Sequence, residues 1–245
     1  MGNNVKIVGA GPGDMDLLTV KAYNLIRDWA DVIIYDRLIS DDIIALFPSN
    51  IEAIYAGKSC KNHVMSQDEI NTELVKYASS GKRILRLKGG DPFIFGRGAE
   101  EVIALNEAGI ECEVVSGVSA ASGISSSVGI PLTHRGLANS VQFITGHQQK
   151  NKETKIDWDS LSNKELTIVL YMALTHIDNI VEKLIAGGRE SYTPAVAIEN
   201  GTMENERLCF ADLQNLPSEI GKMELKSPTI IIIGDVVKLS PYSTL

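Results

Sequence analysis

Cysteine is scarce in this sequence: only Cys60, Cys112 and Cys209 occur, and none of them forms a CxxC pair. Such scatter fits neither a zinc knuckle nor a disulfide framework, so no metal is expected and a reducing compartment is the simplest setting. Long hydrophobic runs are missing too. The longest aliphatic stretch, Ile230 to Ile233, falls far short of the roughly 20 residues that cross a bilayer and reads as a buried strand. The N-terminal residues lack the charged segment and apolar core of an export signal, and Lys6 stands where a myristoylation motif needs Ser or Thr. A cytoplasmic protein without membrane association is therefore expected. Positive charge is also in deficit. Lysine and arginine number 23 against 31 aspartates and glutamates, and both halves share the imbalance, 12 to 17 up to Val115 and 11 to 14 after it. With no basic run, phosphate neutralisation has no footprint, and nucleic acid is not an expected partner. No internal repeat or low-complexity linker is present, although Gln148 to Thr154 is polar enough for a flexible loop.

What remains is an ordinary globular composition, 44% apolar over 245 residues, enough for one large or two modest domains. The first half alternates short aliphatic runs with helix-like stretches. Strands are predicted at Val5 to Val8, Val32 to Tyr35, Ile51 to Tyr55 and Ile84 to Leu87. Helices are predicted at Leu17 to Asp28, Asp41 to Leu46, after a Ser66/Glu69 capping box, and from Ala99 to Glu107. This rhythm predicts a parallel α/β sheet with its ligand at the carboxyl ends of the strands. The small-residue stretch Ser116 to Gly123 suits a hinge or a tightly packed helix start. The domain boundary is therefore expected at 116/117, giving domains 1–116 and 117–245. In the second, strands are predicted at Val141 to Thr145, Thr167 to Tyr171, Ala195 to Ile198, Leu208 to Phe210 and Thr229 to Ile233. A helix is predicted at Ile177 to Ala186, stopped by Gly187-Gly188.

Gly9-Ala10-Gly11-Pro12-Gly13-Asp14 follows the first strand and precedes a helix, the context of a dinucleotide fingerprint. Asp36, ending the second strand, stands where an acidic residue could bind a ribose hydroxyl. Two features oppose that reading: Asp14 occupies the last glycine position, placing a carboxylate where pyrophosphate would bind, and Pro12 removes a backbone donor. A dinucleotide site, a plain structural turn and a site for another nucleoside remain open on this loop alone.

The stretch from Lys88 through Gly89-Gly90-Asp91-Pro92-Phe93-Ile94-Phe95-Gly96-Arg97-Gly98 to Glu101 is a rarer combination. Its glycines let backbone approach a ligand, Asp91 can accept from hydroxyl or amino groups, and Arg97 offers a fork to a carboxylate. This segment resembles the longest motif of the tetrapyrrole methylases, and the other motifs of that family follow in order. They are the Gly9 to Asp14 loop, Tyr35-Asp36-Arg37, Gly57-Lys58, Val115 to Ala121, Gly129-Ile130-Pro131-Leu132-Thr133-His134-Arg135, Tyr171-Met172-Ala173-Leu174, Glu199-Asn200-Gly201-Thr202 and Ser227-Pro228. The resemblance runs from about Val5 to Val237. Departures are Ser116 for a usual proline, Ser119 for threonine and Ala173 for glycine, which touch fine positioning.

The resemblance implies a two-domain α/β tetrapyrrole methylase fold with S-adenosylmethionine in the interdomain cleft. It implies C-methylation of uroporphyrinogen III at C2 and C7 to give precorrin-2, on the route to sirohaem or cobalamin, in a homodimer. By the same resemblance the cofactor contacts fall on Pro12, Gly89, Gly90, Asp91, Ile94, Ser119, Ala120, Met172 and Gly201. Asp36 becomes the proton acceptor and Lys58 the proton donor. A substrate bearing eight carboxylates needs local cations on an acidic protein, and Arg37, Arg97, His134 and Arg135 are the nominees. No dehydrogenase or chelatase domain accompanies these motifs, so those steps are expected of other proteins. The alternatives are another precorrin methyltransferase of the cobalamin branch, a nicotinamide-dependent oxidoreductase and a non-catalytic binding module.

Overall fold

Residues 4–57, 65–146, 156–243 and 245 are described by the structure, a computed structural model. The expected loop from Gln148 to Thr154 lies outside them. The chain divides into two compact units, 1–120 and 121–245. The division falls beyond the expected 116/117 boundary for a local reason. A side chain at Gly117 would stand 2.3 Å from the Gly90 carbonyl oxygen, so this segment is packed into the first unit.

The first unit is a five-stranded parallel sheet. Its elements in chain order are β1 (Val5–Gly9), α1 (Val20–Asn24), β2 (Val32–Tyr35), α2 (Asp41–Ala45), β3 (Glu52–Tyr55), α3 (Gln67–Ala78), β4 (Ile84–Lys88), α4 (Gly98–Glu107) and β5 (Cys112–Val115). Spatial order is β3-β2-β4-β1-β5, with Val5 opposite both Ile84 and Cys112. Alternate residues feed two cores, because successive side chains of a strand point to opposite faces. Ile33, Leu85, Leu87 and Val8 pack with Ala22, Leu25, Ile26 and Ile43. Val5, Ile7, Val32, Ile34 and Ile84 pack with Ile70, Leu74 and Leu105 from α3 and α4. The capping box is formed, Ser66 accepting from the Glu69 amide and Glu69 from the Ser66 amide. The helix expected over Leu17 to Asp28 is instead a 3-10 turn at Met15–Leu17, α1 capped by Thr19, and a π-helical turn at Leu25–Trp29. Strand β5 was not anticipated; it is short, and its Glu113 pairs with Lys6 and Lys21.

Helix α5 (Ala120–Ser127) starts at the last residue of the first unit, and the second unit continues through β6 (Ser140–Thr145), β7 (Leu166–Tyr171), α6 (Ile177–Ala186), β8 (Pro194–Glu199), β9 (Arg207–Asp212), α7 (Leu216–Met223) and β10 (Thr229–Ile233). The sheet order is β6-β7-β10-β8-β9, parallel only between β6 and β7. The aliphatic run of β10 is central, with Ile230 to Ile233 all buried. Helix α6 turns Ile177, Ile180, Val181 and Leu184 onto the sheet, the i, i+3, i+4, i+7 stripe of an amphipathic helix. Arg189 is buried and donates to the carbonyls of Leu161 (3.3 Å), Asn163 (2.5 Å) and Leu166 (3.1 Å), tying the turn before β7 to the end of α6. Burial pushes its pKa down, opposed by the Asp235 and Glu190 charges.

Candidate active site

In the strand order of the first unit, β1 and β4 are neighbours whose connections leave toward opposite edges of the sheet: β1 leads to β2, and β4 leads to β5. Ligands of open α/β sheets sit at such a switch point, outside the carboxyl ends of the strands. Here the two glycine segments meet. Gly11 and Gly90 form a two-way backbone bridge, the Gly90 amide donating to the Gly11 carbonyl at 2.7 Å and the Gly11 amide to the Gly90 carbonyl at 3.2 Å. The third strand end joins them: a Cβ on Gly9 would lie 2.5 Å from the Gly117 nitrogen and 2.6 Å from the Gly90 oxygen. Gly9 and Gly117 are therefore needed for backbone-on-backbone packing, while Gly11 and Gly90 hold left-handed φ values of 75 and 67. Gly89 has a similar reason, since a Cβ there would meet the Leu38 Cβ at 2.6 Å.

Asp91 clips the arrangement together. One carboxylate oxygen accepts from the Phe93 amide (2.8 Å) and the other from the Gly117 amide (3.1 Å). Asp14 caps the first turn, accepting from the Asp16 amide at 2.9 Å, and the turn is only Met15–Leu17. No α-helix begins at the glycine loop, so the helix terminus that a pyrophosphate requires is missing at this position, and a carboxylate stands there instead. Pro12, Ile94 and Ser119, in the loops after β1, β4 and β5, and Ala120, which opens α5, are half-buried in the same unit.

Beside the bridge lies a charged cluster. Residues Ile84, Arg86 and Lys88 alternate along one face of β4, and Ile34 of β2, opposite Arg86, is followed two residues later by Asp36. The face covered by α3 and α4 is thus aliphatic at its amino end and ionic at its carboxyl end. Arg86 is 1% exposed and forks between two carboxylates, Nη2 to Asp36 Oδ1 at 2.5 Å and Nε to Glu101 Oε1 at 3.0 Å. Its Nη1 donates to the carbonyls of Ile34 and Leu87. Lys88 Nζ lies 2.9 Å from Glu101 Oε1 and 3.6 Å from Asp36 Oδ2. Glu101 is fully buried in the first turn of α4 and also accepts from Gln67 at 3.3 Å. Burial works against the Arg86 charge, but Asp36 and Glu101 outweigh it and raise its pKa above the ordinary value. Two cations and two anions balance, and Asp36 is the member that reaches solvent, 27% exposed where its partners are at most 4%.

The other nominees are distributed as follows. Lys58 lies outside the described residues. Arg37 is exposed in the turn after Asp36. Arg97 is held by a fork to Glu100, at 2.8 and 2.6 Å, and this pairing raises the Arg97 pKa and lowers that of Glu100. In the second unit, His134 and Arg135 are exposed on a turn closed by reciprocal His134 and Ala138 backbone bonds, both 2.9 Å. Met172, at the end of β7, has φ 52 and is 52% exposed, an uncommon left-handed geometry for a non-glycine residue. Gly201, between Asn200 (φ 50) and Thr202 (φ 70), leaves no room for a Cβ, which would sit 2.6 Å from Ile124 of α5. Among the described residues no cluster of three or more His, Cys, Asp and Glu could hold a metal ion. Sequence reading did not single out Arg86 and Glu101 and took Lys88 only as the start of a motif. Their signal was available: two basic residues at i and i+2 in a strand expected to be covered on both faces must find buried partners.

The family profile described as Tetrapyrrole (Corrin/Porphyrin) Methylases matches residues 4–217. A siroheme synthase of Saccharophagus degradans is 48% identical over 234 residues, 96% of this chain but 51% of that protein, so the chain spans about half the length of the curated relatives it matches. Among solved structures, the uroporphyrin-III C-methyl transferase of Thermus thermophilus complexed with S-adenyl homocysteine is 37% identical. It aligns with a TM-score of 0.81 over 96% of this chain and 93% of its own. A cobalt precorrin-4 methyltransferase gives a TM-score of 0.84 at 25% identity, covering 95% of each chain. With the profile covering most of its length and its fold shared by these enzymes, the chain belongs to the tetrapyrrole methylase family.

Proposed function

We propose that this protein transfers methyl groups from S-adenosylmethionine to C2 and C7 of uroporphyrinogen III, giving precorrin-2. The observation that carries the reading is the joining of Gly11 and Gly90 at the switch point of the first sheet, beside the solvent-reaching carboxylate of Asp36. A relative of the same fold, 37% identical over nearly its whole length, is complexed with the demethylated cofactor. The donor set fits such a ligand. Interlocked Gly9, Gly90 and Gly117 put backbone where side chains would otherwise stand, and the nearby Asp14 and Asp91 are better company for a sulfonium than for a pyrophosphate. Pro12, Gly89, Gly90, Asp91, Ile94, Ser119 and Ala120, with Met172 and Gly201 from the second unit, form the proposed cofactor contacts.

S-adenosylmethionine supplies an electrophilic methyl group that is transferred to a pyrrole carbon, the new C–C bond forming as the S–C bond breaks and S-adenosylhomocysteine leaves. The protein's work is alignment and proton handling. Asp36 accepts the proton released during ring rearrangement at Oδ2, its Oδ1 being engaged by Arg86. Lys58 returns a proton. Arg37, Arg97, His134 and Arg135 hold substrate carboxylates, and Arg97 must exchange Glu100 for them. The protein works as a cytoplasmic homodimer, needs no metal, and the product feeds the sirohaem or cobalamin route. Anaerobic incubation with uroporphyrinogen III and S-adenosylmethionine, followed by mass spectrometry, is expected to give a product carrying two added methyl groups and heavier by two CH2 units, one proton leaving for each methyl gained. Unchanged substrate beside demonstrable cofactor binding would refute it.

A further inference from the structure

We propose that Arg86, Lys88 and Glu101 form a positioning set for the Asp36 carboxylate, holding its Oδ2 toward the reaction and balancing the buried charge while Asp36 is ionised. The inference rests on the proposed role of Asp36 as proton acceptor. It starts from an oddity of the fold. A parallel strand flanked by strands on both sides and covered by helices normally carries aliphatic residues, and Ile84, Leu85 and Leu87 comply. Arg86 and Lys88 do not, although both are at least 97% buried by residue, 1% and 3% exposed. Burying two cations with two anions brings little stability, because desolvation offsets the Coulomb attraction and an apolar set of similar volume is often as stable. An ionic set at this position is better accounted for by what it does to the member that solvent can reach.

The geometry supplies the means. Asp36 follows the last residue of β2, where the chain leaves the sheet, and its backbone is tied to β4 by the Asp36 amide donating to the Leu87 carbonyl at 3.3 Å. Arg86 holds one carboxylate oxygen, and Lys88 stands 3.6 Å from the other, outside hydrogen-bond range and within Coulomb range. Both cations are themselves fixed by one atom, Glu101 Oε1, which accepts from Arg86 Nε, Lys88 Nζ and Gln67 Nε2. Glu101 sits at the amino end of α4, where the helix dipole favours a carboxylate. A planar guanidinium that forks between two carboxylates sets the plane of Asp36 in a way that a lysine at position 86 could not. When Asp36 takes up a proton, Glu101 remains the shared counter-charge of Lys88 and Arg86 and the cluster carries one excess positive charge, which favours return of the proton.

The test is a double-mutant cycle between Lys88→Met and Asp36→Asn in the full-length protein, read as kcat, KM and the pH profile of kcat, with S-adenosylmethionine affinity by calorimetry as the check on folding. Lys88→Met is expected to lower kcat at least tenfold and displace the pH profile, with cofactor affinity within twofold of the parent. Adding it to Asp36→Asn is expected to change kcat no further. Multiplying losses in the double variant, or a Lys88→Met enzyme with unaltered kcat and pH profile, would overturn the positioning set. Full turnover by Asp36→Asn alone would instead overturn the acceptor role. If Lys88→Met does not fold, the charge-balanced Lys88→Met/Glu101→Gln pair replaces it in the same cycle. An Arg86→Lys variant that keeps the parental stability but not the parental pH profile further supports the fork, and one that keeps both counts against it.

Discussion

Replacing Gly117 with alanine tests the interlocked glycines most sharply. The new Cβ would stand 2.3 Å from the Gly90 oxygen and 2.7 and 2.8 Å from the Gly9 carbonyl carbon and Cα, all backbone atoms, where ordinary contact begins at 3.4 Å. No side chain can rotate away, so the ends of β1, β4 and β5 must separate by about an ångström. Overpacking of this kind costs about 1–3 kcal/mol, and contact with three backbone atoms places it at the upper end. For a chain of this length that is a fall in Tm of roughly 6–12 °C. The loop after β4 should move with it, weakening S-adenosylmethionine binding by tenfold or more. Gly109→Ala is the control. Unlike Gly117, that glycine has a left-handed φ of 73, but a Cβ there meets nothing within 4 Å, so only the conformational cost of about 1–2 kcal/mol applies. Gly109 precedes β5 and lies at the opposite end of the sheet, so cofactor affinity should be untouched. Scanning calorimetry and cofactor titration read both effects. An unchanged Tm and affinity in Gly117→Ala would refute the packing argument.

Other consequences can be measured independently. Arg189→Met should lower the urea midpoint by an amount corresponding to about 2–4 kcal/mol, because the buried Leu161 and Leu166 carbonyls and the part-buried Asn163 carbonyl lose the guanidinium; Arg189→Lys should recover less than half of it. Asp31 has its pKa lowered to about 2 by hydrogen bonds from the Arg83 side chain and backbone, and unfolding returns it to about 3.8. Its stabilisation is therefore present above pH 4 and disappears as pH falls through about 2. The pair is solvent-exposed, so this is worth no more than about 1 kcal/mol, and Arg83→Ala should flatten the acid limb of a stability-pH curve. Glu100→Gln should free the Arg97 fork and lower KM for uroporphyrinogen III several-fold, whereas Arg97→Met should raise it; equal KM values in all three enzymes would remove Arg97 from substrate binding.

Much of this architecture was legible in the sequence because burial writes itself as aliphatic runs and caps. The central strands, the Ser66 capping box and the α6 stripe all follow from local pattern. Local pattern failed where a partner distant in sequence decides the outcome. Strand β5 is short and carries Glu113, whose two lysine partners stand on β1 and α1. Helix α7 contains Pro217 and Gly221, which read as breakers, yet Pro217 falls in the first turn, where a missing amide costs nothing. The Gly9 to Asp14 loop imitated a phosphate-binding motif because glycine is chosen for close backbone approach in either case. Only the positions of Gly90 and Gly117 reveal which backbone approaches. In the same way, the motifs marked Asp36 but not its support, since Arg86, Lys88 and Glu101 converge from β4 and α4 only in the folded chain.

The central claim is that carbon of a tetrapyrrole receives the methyl group, and the most direct measurement is 13C NMR of the product formed anaerobically from uroporphyrinogen III and S-adenosylmethionine labelled in its methyl carbon. Two enriched methyl signals, each coupled to a ring carbon and assigned to C2 and C7, are the predicted result. Label appearing at other ring carbons, on carboxylate oxygen, or not at all in the tetrapyrrole would contradict it.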